Sequence, residues 1–171
     1  MRIYLIGFMA TGKSTLGQLV VDDLDVPFFD TDLVIESQSS MTISGIFATQ
    51  GETAFREIEA DVLRQTTIYD KALIATGGGL PCHHENMEWM TIHGITMYLS
   101  WPDEIFKTHL LKHLSSRPML ADLHPDAVED KIELLYEERK PYYEMASMTI
   151  EMVGDIEKDK ITLEKACKYI W

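Results

Sequence analysis

Cysteine is scarce: only Cys82 and Cys167 occur in the 171 residues, far apart and without C-x-x-C spacing. That argues against a disulfide framework and fits reduced thiols in a cytosolic protein. No stretch reaches the roughly eighteen consecutive apolar residues of a membrane span, and the apolar run before Gly7 is too short for a secretion-signal core. A cytoplasmic location is therefore expected. Internal repeats, charge blocks and Gly/Ser linkers are also missing, and a chain that is 46% hydrophobic can fill one core, so residues 1–171 are read as a single domain. Positive charge is in short supply, with 15 Lys and Arg against 28 Asp and Glu and a net charge of −13. Such a field repels nucleic acid and anionic membranes, which excludes both as expected partners. Arginine is rarest among the charged residues, at Arg2, Arg56, Arg64, Arg117 and Arg139 only. An acidic chain that binds an anion must concentrate its cations where they act, so those five positions are informative.

What is present begins at once. Gly7-Phe8-Met9-Ala10-Thr11-Gly12-Lys13-Ser14 matches G-x-x-x-x-G-K-[ST] directly after the apolar run Ile3–Ile6. Glycines let backbone N–H groups turn inward, a helix opening near Lys13 adds its positive end, the lysine ammonium reaches outer phosphates and Ser14 offers a hydroxyl to Mg²⁺. This is a phosphate-binding loop, hence a nucleotide-binding domain. Short apolar strands are expected at 3–6, 27–29, 72–76, 95–99 and 148–153. Helices are expected at 13–24, 32–37, 43–49, 52–69, 84–93, 103–114, 126–146 and about 160–169. That alternation predicts a three-layer α/β sandwich around a parallel five-stranded sheet. Residues 115–125 lack periodicity and are the expected lid.

In open α/β sheets ligands lie beyond the carboxyl ends of the strands, so the polar residues there are candidates. Asp30-Thr31-Asp32 follow the second strand. Read as extended backbone, the two carboxylates point to opposite sides, one for Mg²⁺ and the other for a substrate hydroxyl; helix capping by Asp32 is the plainer alternative. Gly77-Gly78-Gly79 follow the third strand and permit close approach to the backbone, by a ligand or within a tight turn. Arg56 and Glu59 are three apart on a helix, so the carboxylate can hold the guanidinium ready for an anion. Arg139 shares a helix face with Ile132, Leu135, Tyr136 and Tyr143, and a guanidinium there needs an anionic partner. Arg117 opens the expected lid and is placed to neutralise charge on a transferring phosphoryl group. His83-His84 and the pair His109/His113 lack the company of a zinc motif, and Met87, Trp89 and Met90 read as helix packing.

Taken in order, Gly7-Phe8-Met9-x-x-Gly12-Lys13-Ser14-Thr15, Phe29-Asp30-Thr31-Asp32, Ile46-Phe47-Ala48-x-x-Gly51-Glu52-x-x-Phe55-Arg56-x-x-Glu59, Thr76-Gly77-Gly78-Gly79, Arg117-Pro118-x-Leu120 and Arg139-x-Pro141-x-Tyr143 resemble the shikimate kinases, over about residues 2 to 145. The resemblance implies a P-loop fold like that of nucleoside-monophosphate kinases, with substrate-binding helices at about 32–62 and a lid at 115–125. It also implies a monomer that transfers the γ-phosphoryl of ATP to the 3-hydroxyl of shikimate with Mg²⁺. By the same likeness Ala10, Thr11, Gly12, Lys13, Ser14, Thr15 and Arg117 hold the nucleotide; Ser14 ligates Mg²⁺ directly and Asp30 does so through water. Lys13, Asp32 and Arg117 are then catalytic, with Asp32 activating the hydroxyl. Arg56 and Arg139 clamp the substrate carboxylate, Glu59 orients Arg56, Gly78 touches the ligand, and Ile43, Phe47 and Phe55 wall the ring. The chain departs from the family pattern at Ala10, usually glycine, where a positive φ would be strained. It departs again around the adenine pocket, at 107–112 and 152–155. A kinase for another acceptor and a nucleotide-binding regulatory module are the alternatives.

Overall fold

The computed structural model describes residues 1–102 and 125–171, the side chains of 125–129 excepted. The expected helix at 103–114 and most of the expected lid lie outside them. Five strands form one sheet: β1 (Arg2–Ile6), β2 (Phe28–Asp30), β3 (Ala72–Ala75), β4 (Gly94–Ser100) and β5 (Met148–Glu151). Their spatial order is β2-β3-β1-β4-β5, and every neighbouring pair is parallel. Parallel neighbours require crossovers, and these run through α1 (Lys13–Leu24), α2 (Thr31–Ser39), α3 (Ile43–Gln65), α4 (Asn86–His93) and α5 (Pro125–Tyr143), while α6 (Ile156–Ile170) follows the last strand. The architecture is the expected three-layer α/β sandwich.

Strand alternation sorts the core onto the two faces of the sheet. From β1, Tyr4 and Ile6 join Leu63, Ile74, Met87, Met90, Tyr98, Ile132, Leu135 and Tyr143 under α3, α4 and α5. Ile3 and Leu5 join Leu16, Val20, Leu73, Met97, Leu99, Leu163 and Cys167 under α1 and α6. A third cluster of Ile35, Ile46, Phe55 and Val62 holds α2 against α3. The expected packing role of Met87 and Met90 is what the first cluster shows.

Several boundaries move for local reasons. The two helices expected at 43–49 and 52–69 meet end to end in α3, at a single non-helical residue, Gly51 (φ 82°, ψ 172°), and the second ends at Gln65 before a 3₁₀ turn, Thr66–Ile68. Helix α4 begins at Asn86 and not at His84, because His84 and Glu85 both take a positive φ. Helix α6 begins four residues before the expected start, with Asp155 as N-cap accepting from the Lys158 N–H at 3.1 Å.

Candidate active site

The loop from β1 to α1 closes over the carboxyl edge of the sheet. Gly12 is the N-cap of α1 with φ 83°, a left-handed conformation suited to glycine, and Lys13 is the first helical residue. Lys13 is 7% exposed. Its ammonium donates to the carbonyls of Gly7 (2.9 Å) and Phe8 (2.7 Å) and to Thr11 Oγ1 (3.3 Å). The loop is thus drawn round its own cation, with the exposed Ser14 and Thr15 in the first turn behind it. Ala10 has φ 60°, the strained backbone expected for a residue with a Cβ at this place. A cavity of about 540 Å³ lies over the loop, lined by residues 9–16 together with Asp32, Thr76, Gly78, Trp101, Gly154, Ile156 and Asp159.

A second, smaller cavity of about 90 Å³ adjoins it, lined by Ile43, Phe47, Phe55, Arg56, Glu59, Arg139 and the three glycines, and it shares Met9, Asp32 and Gly78 with the first. Here the charges are side chains. Arg56 is 6% exposed and Glu59 1%. Arg56 Nη1 donates to Glu59 Oε2 at 2.5 Å, and Nε and Nη2 donate to Glu52 Oε1 at 3.2 and 2.9 Å. The guanidinium also lies 5.2 Å from the centre of the Phe55 ring. Burial pushes the Glu59 carboxyl up to about 7, against the pull of Arg56 and with added repulsion from Asp32. Arg139 is 7% exposed and stands 5.8 Å from the Phe8 ring centre. No ion pair to Arg139 forms among the described residues. Tyr143, one turn on, is fully buried and donates its hydroxyl proton to the Gly78 carbonyl at 2.6 Å. Two buried guanidiniums thus face the smaller cavity: Arg56 is paired with two carboxylates, and Arg139 lies beside the Phe8 ring and the Tyr143 hydroxyl and within the electrostatic reach of Glu59.

This arrangement belongs to a known family. The family model for shikimate kinase matches residues 9–168. The chain belongs to the shikimate kinase family. Curated shikimate kinases from Rippkaea orientalis and Bacteroides thetaiotaomicron are similar at 39% and 38% identity, over 87% and 85% of this chain and 77% and 83% of theirs. Among solved structures, shikimate kinase from Bacteroides thetaiotaomicron superposes with a TM-score of 0.88 at 33% identity, covering 98% of each chain. Shikimate kinase from Acinetobacter baumannii in complex with shikimate gives 0.82 at 31%, covering 98% of this chain and 93% of that one. Members of the family are ATP-dependent kinases, and so is this chain.

The expected residues fall in place unevenly. Ala10, Thr11, Gly12, Lys13, Ser14 and Thr15 line the larger cavity, Phe47, Phe55, Arg56 and Arg139 the smaller, and Asp32 and Gly78 both. Arg117 lies outside the described residues. Asp30 lines neither cavity. The reading of Asp30 and Asp32 as two carboxylates on extended backbone is corrected: α2 starts at Thr31, and Asp30 caps it, its Oδ1 accepting from the Asp32 and Leu33 N–H groups at 2.9 and 3.2 Å. Asp32 therefore sits in the first helical turn and does not cap the helix itself. The three glycines also have a tighter reason than ligand access. A Cβ would come within 2.7 Å of Asp32 Oδ1 at Gly77, within 3.0 Å of the Met9 backbone nitrogen at Gly78, and within 2.7 Å of Arg56 Nη1 at Gly79. Each glycine leaves room for a different part of the site.

Sequence reasoning missed Trp101, Glu52 and Asp159. Applying the strand-end argument to all five strands would have reached Trp101, which directly follows β4. Glu52 is at i−4 from Arg56, a spacing readable on any helix. Asp159 is buried in the first turn of α6 and accepts from the Val153 and Gly154 N–H groups at 2.8 and 3.1 Å, holding the loop that edges the larger cavity. Nothing in the sequence separates it from the other acidic residues around it.

Proposed function

We propose that the two cavities are the halves of one phosphoryl-transfer site, moving the γ-phosphoryl of ATP to the 3-hydroxyl of shikimate in the route to aromatic amino acids. The observation that carries this is the position of Asp32, which lines both cavities beside Gly78 and Met9. Lys13, the amides of residues 10–15 and the positive end of α1 hold the phosphates. The acceptor carboxylate binds between Arg56 and Arg139, giving Arg139 the ion pair it does not make among the described residues, while Phe47 and Phe55 wall the ring. Asp32 accepts the hydrogen bond of the hydroxyl and takes its proton as the new P–O bond forms and ADP departs. Glu59 and Glu52 keep Arg56 oriented before substrate arrives. Catalysis then consists of positioning and charge neutralisation.

The donor set suits Mg²⁺. Ser14 and Asp32 offer hard oxygen atoms at the larger cavity, and among the described residues no group of three or more His, Cys, Asp or Glu forms a cage. One or two protein oxygens with waters and phosphates is the usual manner of this ion. Ser14 would ligate it directly and Asp30 through water, and the ion would supply positive charge that offsets the charge of the phosphates. We also assign the chain a single domain, a monomeric state and a cytoplasmic location, without nucleic-acid or membrane partners. The net charge of −13 supports the absence of nucleic-acid and anionic-membrane partners, and no helix among the described residues is long and apolar enough to cross a membrane.

The test is ADP release with ATP, Mg²⁺ and shikimate, run beside quinate, gluconate and a nucleoside monophosphate. Turnover that requires shikimate supports the assignment. Turnover with another acceptor alone keeps the kinase and replaces the substrate.

A further inference from the structure

Trp101 is the first residue beyond β4, at the edge of the sheet where ligands bind. Its half-buried ring packs against both principal core clusters, one on each face of the sheet. From that seat the indole Nε1–H donates to the Thr11 carbonyl at 3.1 Å, and the ring lines the larger cavity. Thr11 is itself buried, and its hydroxyl donates to the Phe8 carbonyl at 2.8 Å. The residue after Ala10 is thereby tied three times, twice within the loop, through its bond to Phe8 and the bond its hydroxyl accepts from Lys13, and once from another element. Ala10 needs that support, because at φ 60° its Cβ crowds the backbone and the left-handed conformation is disfavoured relative to glycine.

We propose that Trp101 is a positioning residue for the phosphate-binding loop: its indole N–H holds the Thr11 carbonyl and keeps the Ala10–Gly12 backbone in the anion-binding conformation against the strain at Ala10. The proposal rests on the reading of this loop as the ATP site. A donor anchored in packed core on both sides is better placed for the task than one on a surface loop. The strain and the tie are coupled, so the importance of Trp101 depends on which residue stands at position 10.

A double-mutant cycle on binding of Mg²⁺-ADP by titration calorimetry tests this, using the unaltered protein, Trp101→Phe, Ala10→Gly and the double variant. Phenylalanine keeps an aromatic ring and drops the donor. The dissociation constant is expected to rise about fivefold in Trp101→Phe, and less than about twofold when the same change is made on Ala10→Gly, where strain is relieved. In the kinase assay Trp101→Phe raises KM for ATP at least about threefold more than KM for the acceptor, a split that general loosening would not produce. Should Trp101→Phe not fold, 3-benzothienylalanine at position 101 keeps the bicyclic shape and removes only the N–H, with the same expectations. An unchanged affinity, or an equal loss in both backgrounds, overturns the proposal. Failure of the unaltered protein to bind ADP overturns the nucleotide reading and this proposal with it, and is seen before any variant is made.

Discussion

The phosphate end and the carboxylate end of the site are organised by different means. At the phosphate end the recognising groups are backbone N–H groups and one lysine within nine consecutive residues, and the cation is held by carbonyls of its own loop. At the end proposed to take the acceptor carboxylate, the charged groups are side chains from α3 and α5, joined by glycines after β3, and Arg56 is balanced by the buried Glu59. Backbone recognition tolerates change in side chains but not in dihedral angles. Side-chain recognition tolerates small backbone shifts but not the loss of a counter-charge. Asp32 lies where the two meet.

The largest effect is therefore expected at the junction. Asp32→Asn should lower kcat about a thousandfold, within the usual range for loss of a positioned base, and leave the KM of either substrate within about threefold. Steady-state rates decide it, and intact turnover would remove Asp32 from its role.

Next come the two arginines, which separate binding from stability. Arg139→Ala and Arg56→Ala should each cut kcat/KM for the acid about a hundredfold, through loss of a charged clamp. Only Arg56→Ala strands a buried carboxylate, so it alone should cost about 3 kcal/mol of folding stability, measured by urea denaturation. Equal stability losses would show that Arg139 also has a structural counter-charge.

A smaller effect follows from Glu59. Its carboxyl is held up to about 7 by burial, against an ordinary 4.5, so the folded protein binds this proton more tightly than the unfolded chain does. The stabilisation is complete below 4.5 and is lost as pH rises through about 7. Thermal melts of the unaltered protein and Glu59→Gln should then diverge from pH 4.5 upward in favour of the variant, and parallel curves would show that Arg56 fully offsets burial. The smallest effect belongs to the phosphate end. Ala10→Gly relieves the strain at φ 60° and adds freedom to the unfolded chain, for a net gain of about half a kcal/mol in urea denaturation.

Legibility in the sequence follows the same division. The phosphate-binding loop is contiguous, so its function could be read at residues 7–15 without knowing anything else. Arg56 and Glu59 are three apart on one helix, and that pairing was equally readable. That Asp30 caps α2 while Asp32 faces the cavities was not, because one residue of difference in where β2 ends decides which carboxylate is turned outward. The triple glycine was read as room for a ligand or as a tight turn, whereas the groups nearest to it come from the loop after β1, from α2 and from α3. Trp101 carried no signal beyond following a strand, since its partner Thr11 is 90 residues away.

By itself the sequence determined the order of elements, the parallel sheet, the anion-binding loop and the set of residues that mark the family, because each is encoded by periodicity or by spacing along the chain. Only the tertiary structure decided that Asp32 lies at both cavities, that Arg139 stands without a paired carboxylate among the described residues, and that the indole of Trp101, just beyond β4, donates a hydrogen bond to the loop after β1. These depend on which distant groups the crossovers bring within a hydrogen bond of one another, and that distance is a property of packing.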